Sequence, residues 1–200
     1  MPSSDAMVTV VEGMPGAGKT TLLAALARVG HTVLGEYTTD DGELLAHPRH
    51  PHHRDEDGHL ANWLCKSAQL RRLTGAVWVD RDWLTALAFA ASTGGLSERA
   101  AWAHGHLSAG RLVLPLRWIV LDLPPNISLQ RRHGRQEAGH PWSDTAVLDR
   151  LRAFYRDPAA ALDGAHPGLA ARIATVPLSL VDGAAGPGEL VRVVELAGDR

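Results

Sequence analysis

One short motif near the start of the chain constrains its fold more than any other feature. Residues 13–20 have the sequence GMPGAGKT, which matches the phosphate-loop pattern G-x-x-x-x-G-K-[ST]. The apolar run at 7–11 predicts a strand before the motif, and residues 20–29 predict a helix after it. A plain glycine-rich turn does not require this strand-loop-helix context. The motif therefore predicts a P-loop that binds nucleotide phosphates.

The residues of this P-loop have separate chemical roles. Glycines let backbone N–H groups converge on phosphate oxygens, and the positive end of the following helix adds attraction. We expect Lys19 to reach the β- and γ-phosphates and Thr20 to supply a hydroxyl to Mg²⁺. ATP and Mg²⁺ are therefore the expected cofactors. The candidate nucleotide-binding residues are Gly13, Met14, Pro15, Gly16, Ala17, Gly18, Lys19, Thr20 and Thr21.

The rest of the chain alternates strand and helix patterns. Further strands are predicted at 31–34, 76–79, 118–121 and 176–181. Further helices are predicted at 59–73, 82–91, 97–108, 126–133, 144–155 and 187–196. Such alternation indicates an α/β fold with three αβα layers, in which a parallel, five-stranded sheet binds ligands at the carboxyl ends of its strands.

Composition limits the function classes. The 200 residues, 45% hydrophobic and 21% charged, are ordinary for a single domain over 1–200. A net charge of -2 gives no general attraction to nucleic acid or to an anionic membrane. No apolar run approaches the roughly 20 residues that span a bilayer, residues 1–7 lack the features of a signal peptide, and Cys65 has no second cysteine to pair with. We expect a cytoplasmic protein without nucleic-acid or membrane partners, and a homodimer is left open.

Two polar stretches interrupt the alternation, at 40–58 and 134–143, and are predicted to be loops or lids. The first contains a set of histidines that suggests a metal site: His47, His50, His52, His53 and His59. Its prolines prevent the regular helical spacing that would present two ligands on one face, and no cysteine joins the set. We therefore expect this loop to hold no functional metal.

A second candidate site follows the strand at 76–79, where Asp80 and Arg81 come directly after the apolar run. An acid at the carboxyl end of a strand beside the P-loop can hold Mg²⁺, and the arginine can contact phosphate oxygens. Alternatively, Asp80 caps the next helix, although Asp82 is better placed for that role. A GTPase-type switch is disfavoured because no N-K-x-D segment occurs and the D-x-x-G match at 55–58 lies in the histidine-rich loop.

Three arginines follow the fourth predicted strand, and a lid is expected over about 131–143. Arg131 and Arg135 are four residues apart and share a face while the helix lasts. Together with Arg132 they form a cationic segment that can close over a transferring phosphoryl group and exclude water. The alternative is a basic helix end that complements the helix dipole. The P-loop in the same chain favours the lid, so Arg131 and Arg135 are candidate catalytic residues.

The remaining candidates concern the phosphate acceptor. Glu36 lies at the end of the second predicted strand and, if that strand neighbours the P-loop strand, can accept a proton from an attacking hydroxyl. The alternative is a surface glutamate at the start of a loop. Tyr37, Trp63 and Trp83 are candidate acceptor contacts, and for the two tryptophans a place in the core is equally open. Trp78 and Trp118 lie within strands and are expected in the core.

In their order and spacing, these motifs resemble the thymidylate kinase and deoxynucleoside kinase superfamily of P-loop kinases. The resemblance covers about residues 7–140 and rests on five segments: 12–21, Glu36, Asp80 with Arg81, 121–125, and the arginines 131, 132 and 135. It implies a parallel five-stranded core, ATP with Mg²⁺, and an acceptor pocket between the carboxyl ends of the second and third strands. It also implies that Glu36 serves as the base and that Arg81 assists.

The chain departs from this superfamily around Glu36. Thymidylate kinases tend to have arginine before this glutamate and proline after it, whereas here the neighbours are Gly35 and Tyr37. We expect a kinase that moves the γ-phosphate of ATP to a hydroxyl of a small, nucleoside-like acceptor, with antibiotics and other modified metabolites among the candidates. A nucleoside monophosphate kinase is the enzymatic alternative. An ATP-binding regulatory module is the non-enzymatic one, and it would need only the P-loop.

Overall fold

A computed structural model describes residues 6–38, 56–133, 139–186 and 188–192. The first strand, β1 (Met7–Gly13), consists mainly of β-branched residues whose side chains are buried on both faces, as expected for a central strand of a parallel sheet. It leads through the P-loop into α1 (Lys19–Arg28). The strand-loop-helix unit predicted from the motif is therefore present, with β1 extending two residues further than predicted.

The sheet has five parallel strands in the order β2-β3-β1-β4-β5. Their bounds are β2 (Thr32–Leu34), β3 (Ala76–Asp80), β4 (Arg117–Asp122) and β5 (Leu178–Asp182). β3 lies between β1 and β2, so the condition that the second strand neighbours the P-loop strand is not met. The end of β2 instead lies beside the end of β3, which is where Asp80 and Arg81 are.

Helices connect the strands and cover the sheet in an αβα arrangement. They are α2 (Glu56–Leu70), α3 (Leu84–Thr93), α4 (Leu96–Ser108), α5 (Pro125–Arg131) and α6 (Thr145–Arg156). Two short helices that the sequence analysis did not predict follow, α7 (Pro158–Asp163) and α8 (Pro167–Ile173). Each begins with a proline after a capping side chain, Asp157 or His166, so their start signals were present in the sequence.

The core is built by the strands and by one face of each main helix. Trp118 is fully buried and Trp78 is 6% exposed, so both lie in the core as predicted. α6 buries Val147, Leu148, Leu151, Phe154 and Tyr155, which lie three or four residues apart in sequence or directly adjacent and form a single apolar stripe. Among the residues in the described ranges, no helix is both long and apolar enough to cross a membrane.

Two predicted boundaries are corrected by the structure. α2 begins at Glu56, so the last residues of the loop predicted at 40–58 are helical, and 40–55 lie outside the described residues. α5 ends at Arg131, two residues before the predicted end at 133. Residues 134–138, which include Arg135, also lie outside the described residues. Residues 188–192 are helical, within the helix predicted at 187–196.

Candidate functional site

The P-loop backbone has the geometry that its glycines permit. Gly13 has a φ of 133°, and a Cβ added there would lie 2.6 Å from the carbonyl oxygen of Leu121 on β4. Both the positive φ and the close approach of β4 exclude a side chain at this position. Gly18 adopts a left-handed conformation as the N-cap of α1. The loop can therefore direct backbone N–H groups and the positive end of α1 toward one point.

Lys19 lies at the start of α1 and is almost fully buried. Its Nζ donates hydrogen bonds of 3.0 Å to the carbonyls of Gly13 and Met14. Burial lowers the pKa of Lys19 to about 8, and the positive charge of Arg81 contributes in the same direction. The ammonium is thus held within the P-loop, in a surrounding where the approach of a phosphate group would favour its protonated form.

Thr20 and Asp80 meet at the carboxyl edge of the sheet. The hydroxyl of Thr20 donates to Asp80 Oδ2 at 3.0 Å, whereas Asp80 Oδ1 is buried without a hydrogen-bond partner among the described residues. A buried carboxylate oxygen without a donor is costly unless a cation or water satisfies it. A hydroxyl and a carboxylate are also the oxygen ligands that Mg²⁺ prefers. These two residues therefore fit a magnesium site.

Arg81 directs its side chain from the end of β3 toward two carboxylates. It has a φ of 62°, which is unusual for a residue other than glycine, and its N–H donates to the carbonyl of Val11 at 3.1 Å. Its Nε lies 3.2 Å from Glu36 Oε1, an ion pair without hydrogen-bond alignment. Burial lowers the pKa of Arg81, but its acidic neighbours, led by Glu36, raise it overall. The guanidinium therefore stays charged.

Glu36 reaches this edge from the loop after β2. Its carboxylate is about one-third exposed, so it can meet a molecule from solution. Its carbonyl accepts hydrogen bonds from Asn62 (2.9 Å) and Lys66 (3.3 Å), which project from α2. The structure thus brings Glu36 to Arg81, although Glu36 does not lie directly beside the P-loop strand.

Glu12, the last residue before the P-loop, has a fully buried carboxylate. It accepts hydrogen bonds from the backbone of Asp82 at 3.0 Å and from the hydroxyls of Thr85 and Tyr155 at 2.8 to 2.9 Å. Arg81 Nη1 lies 3.7 Å from Glu12 Oε2. The carboxylate is therefore saturated by partners and fixes the start of α3 and the position of Arg81.

The predicted aromatic contacts lie in different places. Tyr37 is near Glu36 in the chain, stacks on Trp63 at 6.2 Å between ring centroids, and its hydroxyl is 2.8 Å from His59 Nδ1. Trp83 is 1% exposed, donates to the carbonyl of Val113 at 2.9 Å and packs edge-on against Trp118. Trp83 therefore lies in the core, and so does Trp63, which is 2% exposed and belongs to the same cluster of buried residues. Trp63 stacks on Tyr37, next to Glu36, whereas Trp83 packs on Trp118, so Trp83 is the weaker acceptor contact of the two.

Two further predictions concern the start of α3 at Asp82 and a metal site in the histidine-rich loop. Asp82 Oδ1 accepts a hydrogen bond of 2.8 Å from the N–H of Leu84, the first residue of α3, so Asp82 and not Asp80 bonds the start of this helix, although its N-cap position is held by Trp83. His47, His50, His52 and His53 lie outside the described residues. Within the described ranges, no group of three or more potential metal ligands occurs.

Arg131 lies against the P-loop, on the side that faces the segment after β5. Its guanidinium donates to the carbonyls of Gly16 (3.3 Å), Gly183 (2.8 Å) and Ala184 (3.3 Å), which links the P-loop to the segment after β5. A cavity of about 290 Å³ lies against this link. It is lined by Gly16, Ala17, Gly18, Thr21, Arg131, Ala185 and Leu190. Arg132 instead donates to the carbonyl of Trp142 at 2.9 Å.

A family model described as an AAA domain matches residues 8–157, or 150 of the 200 residues. This range contains the P-loop, Glu36, the end of β3 and the arginines after β4. The chain belongs to this AAA domain family. No protein of curated function matches its sequence.

Among solved structures, this AAA domain protein is similar to deoxyadenosine kinase from M. mycoides. The structure described with the products dCMP and a flexible dCDP is 12% identical, with a TM-score of 0.63, and the match covers 97% of this chain and all of that one. The structures with dATP and with dCTP give 11% and 13% identity and TM-scores of 0.60 and 0.61, over at least 96% of this chain and 99% of theirs. The fold is therefore that of the P-loop nucleoside and nucleotide kinases, as the sequence motifs indicated.

Three residues that contact the candidate site, Glu12, Lys66 and Tyr155, were not identified from the sequence. Glu12 had a usable signal, because a carboxylate inside a buried, apolar strand requires partners. Lys66 and Tyr155 had weaker signals, since each lies in an amphipathic helix where a long polar side chain is ordinarily exposed. The assembled edge combines the P-loop, the Thr20–Asp80 pair that fits Mg²⁺, and the Arg81–Glu36 ion pair.

Proposed function

We propose that this protein is an ATP-dependent kinase that transfers the γ-phosphate to a hydroxyl of a small, nucleoside-like acceptor. One observation supports it most directly: the P-loop, the Thr20–Asp80 pair and the Arg81–Glu36 pair meet at one edge of the sheet. A protein that only binds ATP needs the first of these. The Arg81–Glu36 pair would contribute only when a second molecule, the phosphate acceptor, reacts at the γ-phosphate of ATP.

Different residues of the site contact ATP, Mg²⁺ and the acceptor side of the γ-phosphate. Backbone N–H groups of the P-loop and the ammonium of Lys19 hold the phosphates of ATP. Thr20 and Asp80 would hold Mg²⁺, which neutralises charge on the β- and γ-phosphates. Arg81 contacts the transferring phosphoryl group from the acceptor side. These contacts position the γ-phosphate and stabilise charge, which is most of what phosphoryl transfer requires.

Glu36 is the proposed proton acceptor. The acceptor hydroxyl oxygen forms a bond to the γ-phosphorus, the bond from that phosphorus to the β–γ bridging oxygen breaks, and ADP leaves with that oxygen. The proton of the hydroxyl passes to the carboxylate of Glu36, which is partly exposed and held in place by Arg81. Atoms and charge balance without any further reactant.

The cavity beside Arg131 is the proposed site for the nucleoside part of ATP. It borders the P-loop residues Gly16 to Gly18 on one side and Ala185 and Leu190 on the other. An apolar, concave surface beside the phosphate cradle is suited to an adenine ring. Arg131 is bound to three carbonyls here, so we assign it to the wall of this site and not to the γ-phosphate.

The cations on the acceptor side favour a hydroxyl over a phosphate as the accepting group. A monophosphate acceptor carries charge that an arginine or lysine must meet. Among the described residues at this edge, Arg81 is already assigned to the transferring phosphoryl group, and Lys66 donates to three backbone carbonyls, so neither is assigned to a phosphate of the acceptor. The nucleoside monophosphate kinase alternative therefore has less support than the hydroxyl-directed kinase.

The test is transfer of the γ-phosphate from labelled ATP to a panel of nucleosides, nucleoside monophosphates and hydroxylated antibiotics. The proposal expects a labelled product with at least one hydroxyl acceptor, formed only with Mg²⁺ and lost in Lys19→Ala. Products confined to monophosphates would support the alternative kinase class. ATP binding by calorimetry without transfer to any member of a broad panel would support the regulatory module.

A further inference from the structure

One buried ammonium contacts the backbone of the three residues that form the acceptor side of the site. Lys66 is 2% exposed, and its Nζ donates to the carbonyls of Asp80 (2.6 Å), Arg81 (2.7 Å) and Glu36 (3.3 Å). An ammonium has three N–H donors and no acceptor, so these contacts use all of them. We propose that Lys66 is a positioning residue that fixes the magnesium acid, the arginine and the base in one arrangement.

The position of Lys66 in the fold makes this role specific. Glu36 lies in the loop after β2, whereas Asp80 is the last residue of β3 and Arg81 follows it. Lys66 projects from α2, the helix that precedes β3, and so connects the ends of two strands. Burying an ammonium is costly unless it is well paired with hydrogen-bond acceptors. Burial lowers the pKa of Lys66 to about 8, which is the direction expected for that cost. Because burying this ammonium costs folding free energy, we infer that the contacts of Lys66 serve the site.

The strained backbone of Arg81 gives a second reason for such a restraint. Its φ of 62° is retained only where the surroundings determine it. Two backbone bonds hold this residue, one from its N–H to the carbonyl of Val11 and one from Lys66 Nζ to its own carbonyl. Removing the lysine leaves a single backbone bond, while Arg81 Nη1 keeps its contacts with Thr85 (3.4 Å), Tyr155 (3.4 Å) and Glu12 (3.7 Å). Lys66 therefore restrains the backbone of Arg81, from which the guanidinium extends toward Glu36.

The same face of α2 holds the loop after β2 at further points. Asn62 donates to the carbonyl of Glu36 at 2.9 Å, and Gln69 Oε1 accepts from the hydroxyl of Thr38 at 3.0 Å. Residues 62, 66 and 69 are spaced four and three apart, which places them on one helical face. Lys66 differs from the other two because it also reaches β3. This difference separates its role from that of a general loop anchor.

This role rests on the proposed function, and the sign of the effect on magnesium binding distinguishes it from simple electrostatics. If Lys66 acted only through its charge, Lys66→Met would remove a cation near Asp80 and tighten Mg²⁺ binding. If Lys66 positions Asp80, the same change weakens Mg²⁺ binding by about 10- to 100-fold, as is typical when support for a metal ligand is removed.

Calorimetry of ATP binding with and without Mg²⁺ measures this effect in wild type and Lys66→Met. We expect the ATP affinity of Lys66→Met without metal to stay within about threefold of wild type. The increase in ATP affinity that Mg²⁺ produces should be smaller than in wild type. Asn62→Leu, which releases the carbonyl of Glu36 and the N–H of Thr38 but neither Asp80 nor Arg81, should leave that increase unchanged while slowing phosphate transfer. Arg72→Met, just after α2 on an exposed residue, controls for the loss of a positive charge.

Hydrogen exchange of the protein without ligands tests the same role independently of any activity. Exchange at residues 35–38 and 80–82 should rise at least about tenfold in Lys66→Met, while exchange in β1 and α1 stays at the wild-type rate. If Lys66→Met does not fold, Lys66→Gln, which keeps a shorter donor, is measured in the same way and should give a smaller rise.

The two proposals fail in different ways. Unchanged exchange in both segments, or a larger Mg²⁺ increment in Lys66→Met, overturns the positioning role even if wild type proves to be a kinase. Absence of any phosphate transfer by wild type overturns the proposed function, while the exchange experiment still decides what Lys66 does.

Discussion

Thr20 Oγ1 lies 3.0 Å from Asp80 Oδ2 and joins the end of the P-loop to the carboxyl end of β3. The contact spans 60 residues of sequence and depends on β3 pairing directly with β1. Because the pairing is parallel, both strands end at the same edge. The hydroxyl, the carboxylate and the unpaired Asp80 Oδ1 therefore face one point beside the phosphate cradle.

Asp80→Asn should weaken Mg²⁺ binding and slow phosphate transfer by about 100-fold or more, because an amide is a poorer ligand for this ion. Metal-free ATP affinity should remain close to that of wild type, since the P-loop backbone is unchanged. Steady-state rates across a Mg²⁺ titration measure the effect, with Asp163→Asn, at the exposed last residue of α7, as the control. A transfer rate equal to wild type at low Mg²⁺ would exclude Asp80 as a metal ligand.

Metal identity gives a related prediction. Activity should require Mg²⁺ or Mn²⁺, the ions suited to a hydroxyl and a carboxylate, and should be indifferent to removal of Zn²⁺. Assays after selective zinc chelation, with Mg²⁺ restored, measure this directly. Loss of activity on zinc removal alone would instead point to the histidines at 47–59.

The sequence predicted the P-loop, the parallel sheet and an acid at the end of a strand beside the P-loop, because each depends on a local motif or on strand order. The motifs by themselves expected β2 beside the P-loop strand, whereas the kinase resemblance implied an acceptor pocket between the second and third strands, which is where Glu36 meets Arg81. The sequence did not identify Lys66 or Glu12, whose roles arise from contacts 14 to 143 residues away in the chain. Long-range partners of single side chains leave no periodic signal.

Lys19→Ala should abolish phosphate transfer while the fold is retained. The ammonium contacts only carbonyls of the P-loop and lies at the start of α1, so its removal does not open the main core. Circular dichroism and thermal unfolding check the fold, and labelled ATP checks transfer. Wild-type turnover by a folded Lys19→Ala protein would remove the P-loop from the proposed mechanism.

The lowered pKa of Lys19 predicts a pH dependence of ATP binding. With a pKa of about 8 in the free protein, the lysine is protonated below that pH and phosphate binding favours the protonated form. ATP affinity should therefore be level below pH 8 and fall above it, by up to about tenfold per pH unit. Calorimetry from pH 6 to 10 measures the slope. The slope should vanish in Lys19→Ala, and its persistence there would assign it to another group.

Gly13→Ala should destabilise the fold by about 2 kcal/mol or more, because the new methyl group would lie 2.6 Å from the Leu121 carbonyl oxygen and the backbone has a φ of 133°. Gly105→Ala is a matched control: Gly105 lies within α4, and a Cβ there meets nothing within 4 Å. It should stabilise the protein by about 0.5 to 1 kcal/mol. Urea unfolding of both variants checks the opposite signs. Equal effects would mean that β4 does not approach Gly13 closely.

Glu36→Gln should slow the chemical step while ATP binding stays nearly unchanged. Glutamine keeps the size of the side chain but cannot take a proton from an attacking hydroxyl. General-base help is worth on the order of 10² to 10⁴ in rate, and a loose transition state favours the lower end. Single-turnover transfer to the identified acceptor measures the step, and calorimetry measures ATP affinity.

The ion pair with Arg81 requires a control in the same experiment, since Glu36→Gln also removes the partner of that guanidinium. Both losses act on the transferring phosphoryl group and lower kcat, so Glu36→Gln is also measured in an Arg81→Met background. There, loss of the base lowers kcat further, whereas loss of Arg81 orientation has no additional effect. Glu98→Gln, in the first turn of α4, controls for the loss of a negative charge elsewhere. No further fall of kcat in the Arg81→Met background would make Glu36 a partner of Arg81 only, and the base would then have to come from another group near the acceptor.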